Sequence, residues 1–228
     1  MASNEILPFV FRNPVSSVTH LGWCLWAVWV TGLLWKLARG NRWRQVSVGC
    51  FGLSMVLLYG ASGTYHAIPA SYPWSVVQFR KLDHSAIYIL IAGSATPVFT
   101  VLLRGRLRVW MLSLMWALAA AGVACKWLLP APPYWLTVAL YVGMGWLGLI
   151  PAYALARVVG LRGLSWVFLG GVLYTAGAVC DWASWPVLYP GVVGSHEMLH
   201  VCDMGGTLLH VFFVVRYVLP FRGYPLPA

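Results

Sequence analysis

The chain has 228 residues, of which 61% are hydrophobic and only 9% are charged, and its formal net charge is +10. This composition leaves too little polar surface to coat a soluble globule, so it excludes a soluble protein and indicates an integral membrane protein. The positive charge does not predict nucleic-acid binding, because the basic residues fall almost wholly in alternate loops between apolar segments.

Seven apolar segments are long enough to cross the hydrocarbon layer, which takes about 20 helical residues. In chain order they are 20–37, 46–65, 84–103, 109–129, 134–155, 164–182 and 198–219. Each must be a helix, because open strands would leave backbone groups without hydrogen bonds in lipid. Short connections rich in turn residues leave no room for another folded unit. The sequence predicts an all-α integral membrane protein in which residues 1–228 form one seven-transmembrane helix bundle, with 1–19 as a short interfacial N-terminal segment.

The basic residues predict the orientation of the bundle. Eleven of the fifteen lie on the side reached after the odd-numbered segments, and four lie on the other side. The eleven are Lys36, Arg39, Arg42, Arg44, Arg104, Arg106, Arg108, Arg157, Arg162, Arg216 and Arg222; the four are Arg12, Arg80, Lys81 and Lys126. The positive-inside rule places the N-terminus outside and the C-terminus in the cytoplasm. We expect a multi-pass protein of the cell membrane whose basic loops attract anionic lipid head groups.

Several polar residues lie at segment ends that this topology brings to one membrane face. The second segment ends near His66, the third begins near Asp83, and the seventh begins near His196 and His200. The end of an even-numbered segment faces the same side as the start of an odd-numbered one. Ser62 lies one turn before His66, and His196 and His200 have the spacing of a two-ligand helical metal site. Because ionisable groups inside a membrane bundle usually mark a functional site, we predict a bound metal ion.

Other polar residues of these segments have simpler interpretations. His20 and His84, each taken alone, are best explained as interfacial residues that hydrogen-bond water. Asp203 and His210 continue a polar stripe along the seventh segment. They could extend the metal site, or they could pair with each other or with Thr207.

The chain resembles the hemolysin III family in four runs of sequence. These runs are SGTYH at 62–66, LDHSAIYILIAGSATP at 82–97, GGVLY at 170–174 and SHEMLH at 195–200. That family belongs with the progestin and adipoQ (adiponectin) receptors and is more distantly similar to the alkaline ceramidases. The resemblance implies a seven-helix fold with Zn²⁺ held by His66, His196 and His200.

The resemblance also implies a chemistry for the neighbouring polar residues. It implies that Asp83 and Ser62 act around the zinc-bound water, and relatives are associated with ceramide-like amide hydrolysis. We therefore expect a zinc-dependent membrane hydrolase that cleaves a lipid amide or ester. Asp83 would be its general acid and base, and Ser62 would hydrogen-bond the water or the developing oxyanion. A membrane lipid would be the partner, as substrate or as ligand.

Two other functions fit the same sequence. One is a seven-helix receptor or signalling protein in which zinc is structural, and the other is a membrane-permeabilising protein of the hemolysin type. The chain also departs from the resemblance in two ways. Asp181 and Asp203 are not expected from its motifs, and the adiponectin receptors are placed with the N-terminus in the cytoplasm, opposite to the orientation that the charges predict here.

Overall fold

A bundle of seven helices makes up the computed structural model, which describes residues 11–130 and 133–223. The helices are α1 (Pro14–Leu37), α2 (Arg42–Ala67), α3 (Pro73–Leu102), α4 (Gly105–Leu128), α5 (Tyr134–Trp146), α6 (Ala152–Trp182) and α7 (Ser195–Phe213). No strand occurs in these two ranges, where an isolated bridge joins Tyr189 to Val193 in the α6–α7 loop. The predicted all-α, seven-helix membrane architecture is confirmed, and the chain is a multi-pass integral membrane protein.

The fifth crossing is broken where the sequence is richest in glycine. After α5 the chain forms a short 3₁₀ turn at Leu147–Leu149, and α6 begins just after Pro151. Within α6, Gly160 has φ 71° and ψ 168°, a conformation essentially confined to glycine, so the helix changes direction there. The 22 residues from 161 to 182 span roughly 33 Å and suffice for the sixth crossing. We therefore assign residues 152–159 to the fifth crossing, close to the predicted segment 134–155.

Most helices extend beyond the predicted apolar segments. α1 begins at Pro14 and α3 at Pro73, each with proline in its first turn, where its missing N–H is not needed. Hydropathy marks the lipid-embedded stretch alone, whereas a helix continues into the interface. Residues 14–19 are therefore helical, and residues 1–10 lie outside the described residues. The interfacial location of segment 1–19 stays a prediction.

Small residues let the helices approach closely. A Cβ atom added at Gly52 would lie 2.3 Å from Oγ1 of Thr31, and one at Gly93 would lie 2.2 Å from Oγ of Ser54. Such close contacts supply the van der Waals packing that holds helices together in lipid, where burial from water contributes little. By contrast, α5 buries only two side chains, Thr137 and Met144. It is a loosely packed wall of the bundle.

At the end of the bundle where α2 begins, a buried arginine connects α2 to the end of α7. Arg44, at the start of α2, donates from Nη1 to the carbonyl of Leu219 at 2.9 Å and from Nη2 to the carbonyl of Phe221. These carbonyls follow the π-helical turn at Val214–Val218 that ends α7. A guanidinium thus satisfies acceptors that the end of a helix leaves without intrahelical partners.

Candidate metal centre

Three histidines converge at one end of the bundle. His66 lies in the last turn of α2, and His196 and His200 lie in the first two turns of α7. One ligand nitrogen from each ring lies within 4.8 Å of the others, so the group could hold a metal ion. The two Nε2 atoms of His66 and His196 are 3.2 Å apart. Four-coordinate sites with bonds of 2.0–2.1 Å separate their nitrogens by about 3.3 Å, so this pair needs almost no rearrangement.

The outer nitrogens of two of these rings face hydrogen-bond acceptors. Nδ1 of His196 lies 3.0 Å from Oδ1 of Asp181, and Nδ1 of His66 lies 3.3 Å from Oδ1 of Asn13. In a neutral imidazole, an N–H donated from Nδ1 leaves the lone pair on Nε2. With both rings neutral, the two Nε2 lone pairs lie 3.2 Å apart, and a metal ion between them or a proton on one of them removes their repulsion. In many metal sites, a hydrogen bond from the ring nitrogen that does not bind the metal fixes the orientation of the histidine ring.

The third imidazole, that of His200, is also buried. His200 is 5% exposed, and its Nδ1 has no hydrogen-bond partner in the described part of the chain. Its ring stacks on His20, with the ring centroids 3.8 Å apart. An imidazole nitrogen buried without a partner is costly, and a metal ion bound through Nδ1 would remove that cost.

The interfacial interpretation of His20 is wrong. Its side chain is 3% exposed, it contacts Tyr59 edge to face, and neither ring nitrogen has a partner among the residues described. The reason is that α1 begins at Pro14, so His20 lies nearly two turns inside the helix and points into the bundle. His84 lies outside the group of three, and its Nδ1 is 3.5 Å from Nζ of Lys126.

Asp83 and Ser62 lie beside the histidines. Both are buried, at 8% and 3% exposure, and the Ser62 hydroxyl interacts with the Asp83 carboxyl group. Asp83 is also close enough to His196 to interact with it electrostatically. Together with His200 they line one internal cavity. The sequence-predicted polar residues of α2, α3 and α7 are thus brought together.

Asp181 has a role in this geometry that the sequence motifs did not indicate. At the end of α6 it accepts from His196 through Oδ1 and from the Tyr134 hydroxyl through Oδ2. Helix parity does place Asp181 on the face of the histidines, because the sixth segment ends on the face where the seventh begins, but it does not predict the contact with His196. Glu197, next to His196, caps α7 instead: it accepts from the backbone N–H of Gly194 at 2.9 Å.

The deeper polar residues of α7 make separate contacts. The Tyr59 hydroxyl donates to Oγ1 of Thr207 at 2.7 Å, and the Tyr174 hydroxyl bonds the same oxygen at 2.8 Å. His210 lies with Nε2 3.4 Å from a main-chain carbonyl of α6. Asp203 therefore pairs with neither His210 nor Thr207 in the structure, and its Oδ2 has no partner within the described ranges.

The cavity of about 290 Å³ extends from the histidines toward the far end of the bundle. On α7 its lining runs from His196 to Phe213, roughly 25 Å along the helix axis. That is most of the thickness of the hydrocarbon layer. Its walls beyond the histidines are mainly apolar, and the loosely packed α5 contributes one of them. The shape suits a long hydrocarbon chain.

The fold and the site together define a multi-pass helical membrane protein with a candidate three-histidine metal centre. The model of the haemolysin-III related family matches residues 9–211. The chain is 33% identical over 178 residues to the Hemolysin-3 homolog of Bacillus subtilis (strain 168), which covers 78% of this chain and 80% of the relative. It is 35% identical over 175 residues to Hemolysin-3 of Bacillus cereus, which covers 77% and 76%. The chain belongs to the haemolysin-III related family, as the sequence runs predicted.

Proposed function

We propose that this protein is a zinc-dependent membrane hydrolase that cleaves a lipid amide or ester. The observation that carries the proposal is the pair of Nε2 atoms that face each other across 3.2 Å, with a third imidazole beside them. Three imidazoles and one open position are the donor set of catalytic zinc sites. A zinc ion bound there would polarise a carbonyl group and make water a nucleophile at neutral pH.

The residues around the histidines have distinct roles in this proposal. Asp83 takes the proton that water loses on attacking the carbonyl carbon and returns it to the leaving amine or alcohol. Ser62 hydrogen-bonds the water or the developing oxyanion, and its contact with Asp83 keeps the carboxyl group near the reacting atoms. Asp181 and Asn13 hold the outer nitrogens of His196 and His66, so that Nε2 of each ring points at the ion.

The location of the site supports a lipid as the substrate. His196 and His200 line one end of the cavity, and the cavity continues from them along α7 into the apolar interior, so a carbonyl can lie at the metal centre while its chain lies in the cavity. We propose that the protein lies in a bacterial cell membrane and that the membrane face beside the histidines is the outer one. The N-terminus is then outside the cell and the C-terminus is in the cytoplasm. The eleven basic residues on the opposite face support that orientation. Those that are exposed would attract anionic head groups, whereas Arg44 is buried and bonds main-chain carbonyls.

The test of the reaction uses the purified protein and a fluorescent N-acyl lipid. Asp83→Asn is expected to keep the metal and lose at least about 100-fold in turnover, the contribution typical of a positioned acid–base group. His196→Ala is expected to lose both metal and turnover. The name hemolysin, which both relatives carry, suggests membrane permeabilisation instead. Dye release from vesicles by wild type and Asp83→Asn alike, without lipid cleavage, would contradict the hydrolase.

A further inference from the structure

The cavity contains a carboxyl group that the proposed reaction does not use. Asp203 lies one turn beyond His200 on α7, and both residues line the cavity. Oδ2 of Asp203 is buried and has no hydrogen-bond partner in ranges 11–130 and 133–223. Within those ranges the one ion pair joins His196 to Asp181, so no cation neutralises Asp203. An acceptor left in this state inside a membrane is destabilising unless a ligand donates to it.

The nearest hydroxyl groups cannot fully satisfy this carboxyl group. The Tyr59 hydroxyl interacts with the carboxyl group and also lies 2.7 Å from Oγ1 of Thr207, so its one hydrogen is shared between two acceptors. The Tyr174 hydroxyl bonds the same threonine oxygen. Both tyrosine hydroxyls thus bond Thr207, and Asp203, which lines the cavity, keeps an Oδ2 atom without a partner among the described residues.

The walls of the cavity beyond Asp203 indicate the chemistry of the remaining part of the ligand. Beyond Asp203 the lining includes the apolar side chains of Ile91, Phe99, Val167 and Phe168. These side chains accept a hydrocarbon chain. The polar groups beside them, those of Ser94, Thr175 and His210, already have hydrogen-bond partners in the protein. A ligand that satisfies the whole cavity therefore has one long chain and a hydrogen-bond donor near its polar end.

We propose that Asp203 accepts a hydrogen bond from the polar end of a long-chain lipid, so that the cavity selects lipids with an amide N–H or a hydroxyl over lipids without a donor. Side chains three residues apart on a helix lie about 5–6 Å apart at Cβ, so one amide group can place its N–H at Asp203 and its carbonyl beside His200. This proposal rests on the proposed function, because it assumes that the substrate of the hydrolase binds in the same cavity. It favours an amide substrate, because an ester linkage has no N–H to donate.

The experiment measures binding rather than turnover. Hexadecanamide and N,N-dimethylhexadecanamide have the same chain and the same carbonyl, but only the first has N–H donors. Both are titrated against the full-length protein in nanodiscs, in competition with tritiated hexadecanamide. The variants are Asp203→Leu, Asp203→Asn, which keeps an acceptor, and Thr175→Val. Thr175 also lines the cavity, but its hydroxyl already accepts from Trp146.

The expected result is that wild type and Thr175→Val bind hexadecanamide at least about tenfold more tightly than the dimethyl analogue, the factor typical of one hydrogen bond to a carboxylate. Asp203→Asn retains part of this preference, and Asp203→Leu binds both amides alike. A leucine variant that is folded by thermal unfolding and keeps the full preference overturns the proposal. So does a wild-type protein that does not distinguish the two amides. Cleavage by wild type, followed in the same samples, separates the two proposals. If the hydrolase proposal alone is wrong, the preference persists and no hexadecanoic acid forms, whereas cleavage without a preference overturns the role of Asp203 alone.

Discussion

Asp181 offers a sharp test of how the histidine site is organised. Its carboxylate accepts from Nδ1 of His196 at 3.0 Å and is itself held by the Tyr134 hydroxyl. Replacement of Asp181 by alanine leaves the His196 ring free to rotate and to place its proton on Nε2. Because Nε2 is the nitrogen that faces His66, the change should weaken metal binding without removing any ligand.

The magnitude follows from the exposure of the two groups. Loss of an outer-sphere partner typically weakens metal binding 10- to 100-fold. The His196 side chain is 40% exposed and that of Asp181 is 15% exposed, so water can partly replace the lost acceptor. We therefore expect the lower end of the range, about tenfold, or about 1.4 kcal/mol. Asp181→Asn keeps a neutral acceptor and should lose less, about threefold.

The assay is a zinc titration of purified protein in competition with a chromophoric chelator. Tyr134→Phe, which removes the second bond to Asp181, should fall between wild type and Asp181→Ala. Glu197→Gln is the matched control, because this neighbouring carboxylate bonds Gly194 and not a histidine. An Asp181→Ala variant with wild-type zinc affinity would refute the assignment of Asp181 as the residue that positions His196.

Three further predictions concern packing and burial. Gly52→Val should lower the free energy of unfolding by about 1–3 kcal/mol, because its side chain would overlap Thr31. Arg44→Met should cost about 2 kcal/mol, since two carbonyl groups at the end of α7 lose their donor. His20→Phe should keep the metal and raise stability, because it keeps the stacking on His200 and removes two buried nitrogens without partners. Thermal unfolding in detergent and metal content measure all three.

Each of these predictions has a control or a contradicting outcome. Gly32→Ala should leave stability unchanged or slightly raised, because nothing lies within 4 Å of an added Cβ there. Arg42→Met removes an exposed arginine and should have little effect. Loss of the metal in His20→Phe would mean that His20 is itself a ligand, contrary to the three-histidine assignment.

The sequence was sufficient to predict the helices and the meeting of the three histidines. Hydropathy located the crossings because lipid demands long apolar helices, and helix parity then placed His66 and His196 on one face. The four-residue spacing of His196 and His200 gave a shared helical stripe. These arguments need only the number of crossings and the 3.6-residue repeat of the α-helix. Both can be read from one sequence.

The remaining features depend on details that hydropathy does not record. His20 is buried because α1 starts at Pro14, before the apolar segment, so its depth could not be read from the segment boundary. The contact of Asp181 with His196 depends on how α6 ends next to α7. The boundary between the fifth and sixth crossings lies inside α6 and depends on the backbone angles of Gly160, which composition does not give.

The central claim is that His66, His196 and His200 bind one metal ion together, and elemental analysis of the detergent-purified protein tests it most directly. Wild type should contain about one zinc ion per chain, the stoichiometry of a single site. Alanine at any one of the three positions should reduce the content to near zero, while Glu197→Gln should leave it unchanged. Wild-type protein without metal after zinc addition, or equal zinc content in all three histidine variants and wild type, would contradict the account.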